Sequence, residues 1–224
     1  MKTLKRAIKR TLNLLGISAF NRREPSFTSS SAYWESRYRA GKDSGIGSYG
    51  RLAVFKARVI NEFVTERGIR SVIELGCGDG NQLKLANYET YLGFDVSPEA
   101  IRRCTSSFSN SDSYRFKLLT GMPEERAELT LSLDVIFHLV EDHVFESYLS
   151  LLFGCSERYV IIYSSNFDRF NPAVPHVRHR EFLPRVAEAF PSWKLIITIP
   201  SIYPRSSGEA DTSYGDFYFF EKQA

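Results

Sequence analysis

Two hydrophobic periods alternate along this chain. Residues 52–67 carry Leu52, Phe55, Val59, Ile60, Phe63 and Val64 at helical spacing, and Gly68 supplies a stop. Short apolar or alternating runs at 71–75, 91–95, 114–119, 129–140, 158–164, 194–199 and 216–220 predict seven strands. The run at 129–140 is long enough to hold a strand and the turn after it. Between the runs the pattern returns to helix. A short helix is expected at 80–86 with Leu83 and Leu85, and another after Ser97 and Pro98, with Ile101 and Cys104 facing inward. Two more follow, from Glu141 and Asp142 through 153, and at 181–190 with Phe182, Val186 and Phe190 on one face. Strands alternating with helices predict an α/β fold built on a seven-stranded, mostly parallel sheet with helices on both faces. Residues 200–215 show no helical pattern, so the last two strands are expected to pair as an antiparallel C-terminal hairpin.

The N-terminal pattern is different. Residues 2–15 place Leu4, Ile8, Leu12 and Leu15 at helical spacing with cations between them, the pattern of a basic amphipathic helix. Such a helix suits an anionic membrane surface or a protein partner, or packs locally. Residues 1–31 are therefore read as an arm and linker, and 32–224 as one domain. Its first part, 32–50, brings three aromatics and then four glycines, and reads as a lid or a surface loop.

Charge sharpens this division. The net charge is +3, but residues 1–23 hold seven cations and no acid. Taking those from the 29 basic residues leaves 22 against 26 acids, so the body is mildly acidic. That balance, without basic–aromatic interleaving, argues against a nucleic-acid partner. The three cysteines, Cys77, Cys104 and Cys155, are widely spaced, which suits a reducing cytoplasm and neither a disulfide scaffold nor a zinc site. No metal-ligand spacing is visible, so no metal is expected. No run of about 20 apolar residues exists to span a bilayer, and residues 12–20 are too interrupted for an export signal.

The chemistry concentrates in VIELGCGDG, residues 72–80. Gly76, Gly78 and Gly80 leave backbone that a ligand can approach, in a turn that needs positive φ. A helix starting there would add a polar cradle of N–H groups. Glu74, just before the turn, is a poor neighbour for a pyrophosphate, and Asn81 stands where a dinucleotide fingerprint wants a third glycine. An acid beside a glycine turn suits a cationic ligand with an amino group, and S-adenosylmethionine is one. Asp95 ends the second strand 19 positions after Gly76, a placement suited to accepting from a ribose diol.

With VIELGCGDG at 72–80, GFDVS at 93–97, SLDVIFHL at 132–139 and the late hairpin, the chain resembles class I S-adenosylmethionine-dependent methyltransferases over residues 33–220. The resemblance implies a Rossmann-like fold and that cofactor. It implies that Glu74 and the backbone at Gly76, Cys77 and Gly78 hold the methionine part, that Asp95 binds the ribose and that Val96 packs on the adenine. YWESRY at 33–38 is similar to a cofactor-covering segment, which places Tyr33 and Trp34 at the cofactor. SGIGSYG at 44–50 and HVRHR at 176–180 look like bacterial methyltransferases associated with surface-glycan assembly.

An oxygen acceptor would need its proton removed, and histidine fits that task. His138 lies four residues after Asp134, just past the fourth strand, and is the expected base or acceptor orienter, with Asp134 nearby. A buried structural histidine is the other reading. His143 is expected on a helix surface. His176, Arg178, His179 and Arg180 form a cationic stretch that would bind an anionic acceptor or be a solvated turn. The expected activity is methyl transfer to a small-molecule or glycan acceptor. A protein lysine acceptor, or a cofactor-binding partner subunit with little catalysis, are the alternatives.

Overall fold

The computed structural model describes residues 27–223. The basic stretch 2–15 lies outside the described residues. In order, the main elements are α1 (Ser30–Arg39), α2 (Gly50–Arg67), β1 (Ser71–Leu75), β2 (Thr90–Asp95), α3 (Pro98–Ser107), β3 (Tyr114–Leu118), β4 (Ala127–Leu133), α4 (Asp142–Gly154), β5 (Ser156–Ser164), β6 (Arg169–Phe170), β7 (Arg178–His179), α5 (Leu183–Ala189), β8 (Trp193–Ile199) and β9 (Asp216–Lys222). Seven strands form one sheet in the order β3-β2-β1-β4-β5-β9-β8. The first five are parallel, while β9 enters between β5 and β8 and runs antiparallel to both. The expected seven-stranded, Rossmann-like α/β sheet and its C-terminal hairpin are both present.

Alternation on the strands divides the core into two layers. On β5, Tyr159, Ile161 and Tyr163 join Phe55, Ile60 and Phe63 of α2, whereas Val160 and Ile162 join Leu149, Leu152 and Phe153 of α4. Helix ends follow local chemistry. Gly68 closes α2 in the left-handed region at φ 60°, and the Ser97 hydroxyl accepts from Ala100 N at 3.1 Å to open α3. Helix α1 begins at Ser30, inside the stretch read as linker, with the Ser29 side chain accepting from Ala32 N as its N-cap.

Two expectations change. Residues 80–86 make no α-helix, only a 3-10 turn at Gln82–Leu85. Asn61 of α2 takes over this segment: its side chain donates to Leu85 O at 2.9 Å and accepts from Asn87 N at 3.0 Å. The backbone groups that a longer helix would use are thus satisfied from the side. The helical N–H cradle expected after the glycines is absent with it. The region after β5 also holds a short antiparallel pair, β6 with β7, that the hydrophobic pattern did not predict.

Candidate active site

Strand β1 lies between β2 and β4, so its C-terminal end is where the strand order switches direction. The glycine turn leaves that end with Gly76 at φ 89°, Gly78 at φ 58° and Gly80 at φ 75°. Gly76 N and Cys77 N both donate to Phe94 O, at 2.7 and 3.0 Å, which folds the turn over β2. A Cβ on Gly76 would sit 2.6 Å from Val135 Cγ2, so only glycine fits. Asp95 is fixed by two backbone donors: Gly78 N reaches one carboxylate oxygen and Ser97 N the other, each at 2.9 Å. Burial raises the Asp95 pKa to about 6 against those bonds. Burial likewise raises Glu74 to about 7, opposed by the Tyr91 hydroxyl at 2.6 Å and by the Lys56 charge. Contact with Cys104 and burial hold the Cys77 thiol protonated, which leaves Cys77 a packing role.

Helix α1 and the loop after it cover this turn. Trp34 and Tyr38 face the cavity. The Tyr38 hydroxyl meets Ser44 Oγ at 3.0 Å, Ser44 Oγ accepts from Asp79 N at 2.9 Å, and Tyr49 OH donates to Asp79 at 2.7 Å. At the other end, Ser30 N donates to Glu141 at 2.9 Å and Ser30 Oγ donates to its second oxygen at 2.5 Å. Ser30, just before the segment read as a lid, and Ser44 and Tyr49 within it are thus hydrogen-bonded to Glu141 and Asp79. Trp34 takes the expected place, but Tyr33 does not line the cavity; it stacks on His176 at 4.1 Å.

The turn after β4 departs from the expected pairing of Asp134 with His138. Asp134 adopts φ 60° and only Ile136–His138 make a 3-10 turn, so the two residues do not share a helical face. Asp134 instead accepts from Lys56 Nζ at 2.5 Å. His138 lines the cavity with its ring edge-on to Trp34 at 4.9 Å, and its Nδ1 lies 3.0 Å from His176 O. That contact makes Nδ1 the protonated nitrogen and leaves the Nε2 lone pair free. Burial pushes the His138 pKa down to about 4, so the ring is neutral near pH 7. His143 is exposed on α4, as expected, and also borders the cavity.

The cationic stretch is engaged within the fold. Arg180 donates to Asp142 at 2.6 Å and to Val140 O at 2.7 Å, and Arg178 pairs with Asp142 at 3.0 Å. His179 is buried, with Nδ1 2.7 Å from Ser165 Oγ. None of His176, Arg178, His179 and Arg180 lines the cavity. They brace the loop that holds His138 and the start of α4.

The cavity between these walls measures about 610 Å³. Glu74, Gly76, Cys77, Gly78, Asp95, Val96, Asp134 and His138 all line it. Two further lining residues escaped the sequence reading. Lys56 has no exposed surface, yet it sits at an apolar position of α2, between Phe55 and Val59, and that placement was a readable signal. Gln82 is buried with Oε1 unpartnered, and nothing in its local sequence marks it. Among the described residues no group of three or more His, Cys, Asp or Glu is placed to hold a metal, and no helix is long and apolar enough to cross a membrane.

No protein-family model and no curated protein matches this sequence. Solved structures do match its fold. N-methyltransferase NodS from Bradyrhizobium japonicum WM9, in complex with S-adenosyl-L-homocysteine, superposes with a TM-score of 0.67 at 13% identity, covering 88% of this chain and 100% of that one. The fold is that of class I methyltransferases. Magnesium protoporphyrin IX methyltransferase ChlM from Synechocystis PCC 6803, with bound S-adenosylhomocysteine, gives 0.63 at 14% identity over 86% of this chain and 98% of that one. The methyltransferase domain of bacterial CtHen1 gives 0.60 at 18% identity, covering 76% and 100%. The cavity of this class I fold passes a chemical test for such a cofactor. Asp95 offers fixed acceptors for a diol, and Gln82 Oε1 is an unpartnered buried acceptor.

One outcome follows from Glu74. A cation beside it favours the ionised carboxylate, so its pKa falls when a cationic ligand binds. Affinity is then complete about a unit above the ligand-free value of about 7 and drops as the pH falls through it. Calorimetric titration with S-adenosylmethionine is expected to show that loss between about pH 8 and 6. In Glu74→Gln the limb near 7 should vanish; a pH-independent wild type would contradict the contact.

Proposed function

We propose that this chain is a methyltransferase that uses S-adenosylmethionine to methylate a small-molecule or glycan acceptor at oxygen. The convergence of Glu74, the Gly76–Gly78 backbone and Asp95 on one cavity carries this reading. With Asp134 and Glu141 also lining it against Lys56 alone, the cavity is negative above pH 7, which suits a cationic ligand. When bound, the cofactor supplies a methyl group already activated by its positive sulfur.

The protein's task is then alignment and exclusion of water. Glu74 and the glycine backbone hold the amino-acid end, and Asp95 accepts from the ribose hydroxyls. Val96, 41% exposed at the cavity, offers an apolar face to the adenine. Trp34 and α1 close the site from solvent. His138 presents Nε2 to the acceptor hydroxyl, accepting its hydrogen bond and orienting its lone pair. As the methyl–oxygen bond forms, the hydroxyl proton becomes strongly acidic, so Nε2 of a neutral imidazole with a pKa of about 4 can accept it late in the transfer and pass it to water.

The acceptor side supports a polyhydroxylated molecule. Thr28, Ser29, Ser31 and His143 give the rim hydroxyls and an imidazole, and Trp34 gives a ring face. Incubating the protein with methyl-labelled cofactor and cell extract tests the proposal. Label is expected in low-mass or glycan fractions and to be released by reagents that cleave sugars. Label only in protein, or no transfer at all, would contradict it.

A further inference from the structure

Arg169 and Arg205 are exposed, and they share one aromatic ring. Their guanidinium carbons lie 5.2 and 5.8 Å from the Tyr214 ring centroid, and Arg169 Nη1 donates to the Tyr214 hydroxyl at 3.4 Å. Among the described residues no carboxylate pairs with either arginine. The acids closest in sequence are engaged elsewhere: Asp168 accepts from Glu181 N at 3.1 Å, and Glu209 pairs with Arg51 at 2.9 Å. Local structure holds the cluster in place. Arg169 pairs with His179 across β6 and β7, Arg205 N donates to Ser213 O at 2.9 Å, and the Tyr214 ring meets His179 at 5.3 Å. Two like charges beside one neutral ring make a positive spot on a body that is otherwise mildly acidic. Topology brings this spot to the reacting end of the sheet. Strands β1, β4 and β5 are parallel, and β5 and β8 both run antiparallel to β9, so β8 ends where the others end. Arg169 follows β5, and Arg205 and Tyr214 stand between β8 and β9. Ring contacts join the spot to the site: His138 meets Phe137 at 4.6 Å, and Phe137 meets His179 at 5.7 Å.

We propose that Arg169 and Arg205, beside Tyr214, form an outer subsite for an oxyanion carried by the sugar acceptor, a phosphate ester or a uronic carboxylate. The subsite rests on the methyl-transfer reading above and narrows its acceptor to an acidic sugar or glycan. Guanidinium suits either oxyanion, because its paired N–H donors match two oxygens. Charge sets the orientation. None of Arg169, Arg205 and Tyr214 lines the cavity, whereas Asp95, Asp134 and Glu141 do and would repel an anion inside it. An acidic acceptor therefore keeps its charge at the outer arginines and sends a hydroxyl toward His138.

The test has a binding arm and a transfer arm, both on the full chain. With S-adenosylhomocysteine saturating, glucose 1-phosphate, glucuronate and glucose are titrated by calorimetry. At least one of the two anionic sugars is expected to bind about tenfold or more tightly than glucose, to weaken as salt is added, and to lose about tenfold in the double variant R169Q/R205Q. The sugar that does so identifies the oxyanion. Arg115→Gln removes an exposed cation from β3, at the far edge of the sheet, and should leave the titrations unchanged. In the transfer arm, methyl-labelled product from cell extract should be retained by an anion exchanger. Phosphatase should abolish retention of a phosphate ester and spare that of a carboxylate. R169Q/R205Q should yield about tenfold less label at limiting extract, with S-adenosylhomocysteine affinity as in the wild type. Anionic sugars that bind no better than glucose, binding that survives in R169Q/R205Q, or label in neutral glycans would overturn the subsite alone. Label confined to protein, or no label, would overturn the acceptor reading and the subsite with it.

Discussion

Asp95→Ala is expected to weaken S-adenosylhomocysteine binding at least about 100-fold, with the fold intact by circular dichroism. The carboxylate serves two sides at once. It accepts from Gly78 N and Ser97 N, each at 2.9 Å, and so sets the glycine turn against β2. Asp95 also lines the cavity, where its remaining lone pairs would accept from the two ribose hydroxyls. Bonds to a charged acceptor contribute about 1.5–3 kcal/mol each, so losing two reaches about 3 kcal/mol or more. At about 1.4 kcal/mol per tenfold, that is roughly two decades in affinity. Asp95→Asn keeps one acceptor oxygen and should lose less, about tenfold. An alanine variant within threefold of wild type would remove Asp95 from the site.

His138→Ala is expected to lower kcat by about 100-fold to 1,000-fold, in the range of positioned proton-handling groups, with cofactor affinity within twofold. The distinction follows from place. His138 sits in the turn after β4 beside Trp34, whereas Glu74 lies on β1 and Asp95 on β2. Its ring is set by His176 O and by Trp34, so alanine removes an oriented acceptor and leaves the glycine turn alone. The pH profile offers a second readout. Burial depresses the His138 pKa to about 4, so kcat at saturating cofactor should show no His138 limb between about pH 5.5 and 8. A limb near the ordinary histidine value, or an alanine variant that turns over normally, would contradict the assigned role.

The fold and half of the site were legible in the sequence because both depend on local pattern. Periodicity identified the sheet and the hairpin, and spacing tied Asp95 to the glycines. The Gly76 and Gly78 backbone does adopt the positive φ that the turn requires. What failed was long-range. The helix expected after Gly80 loses to two hydrogen bonds from Asn61, twenty-odd residues earlier. Asp134 and His138, four apart, looked like partners; a positive φ at Asp134 sends its carboxylate to Lys56, 78 positions away. Arg178 and Arg180 looked like an anion site and are instead committed to Asp142. A charge on the chain has no visible partner until the fold is known. Lys56 is the exception, since a lysine between Phe55 and Val59 on an apolar face already requires a buried counter-charge.

Isothermal titration of the full chain with S-adenosylhomocysteine at mildly alkaline pH tests the central claim most directly. The account predicts saturable binding to a single class of site in the micromolar range, lost in Asp95→Ala. A folded wild type that gives no saturable heat and no rise in Tm with the ligand would contradict it.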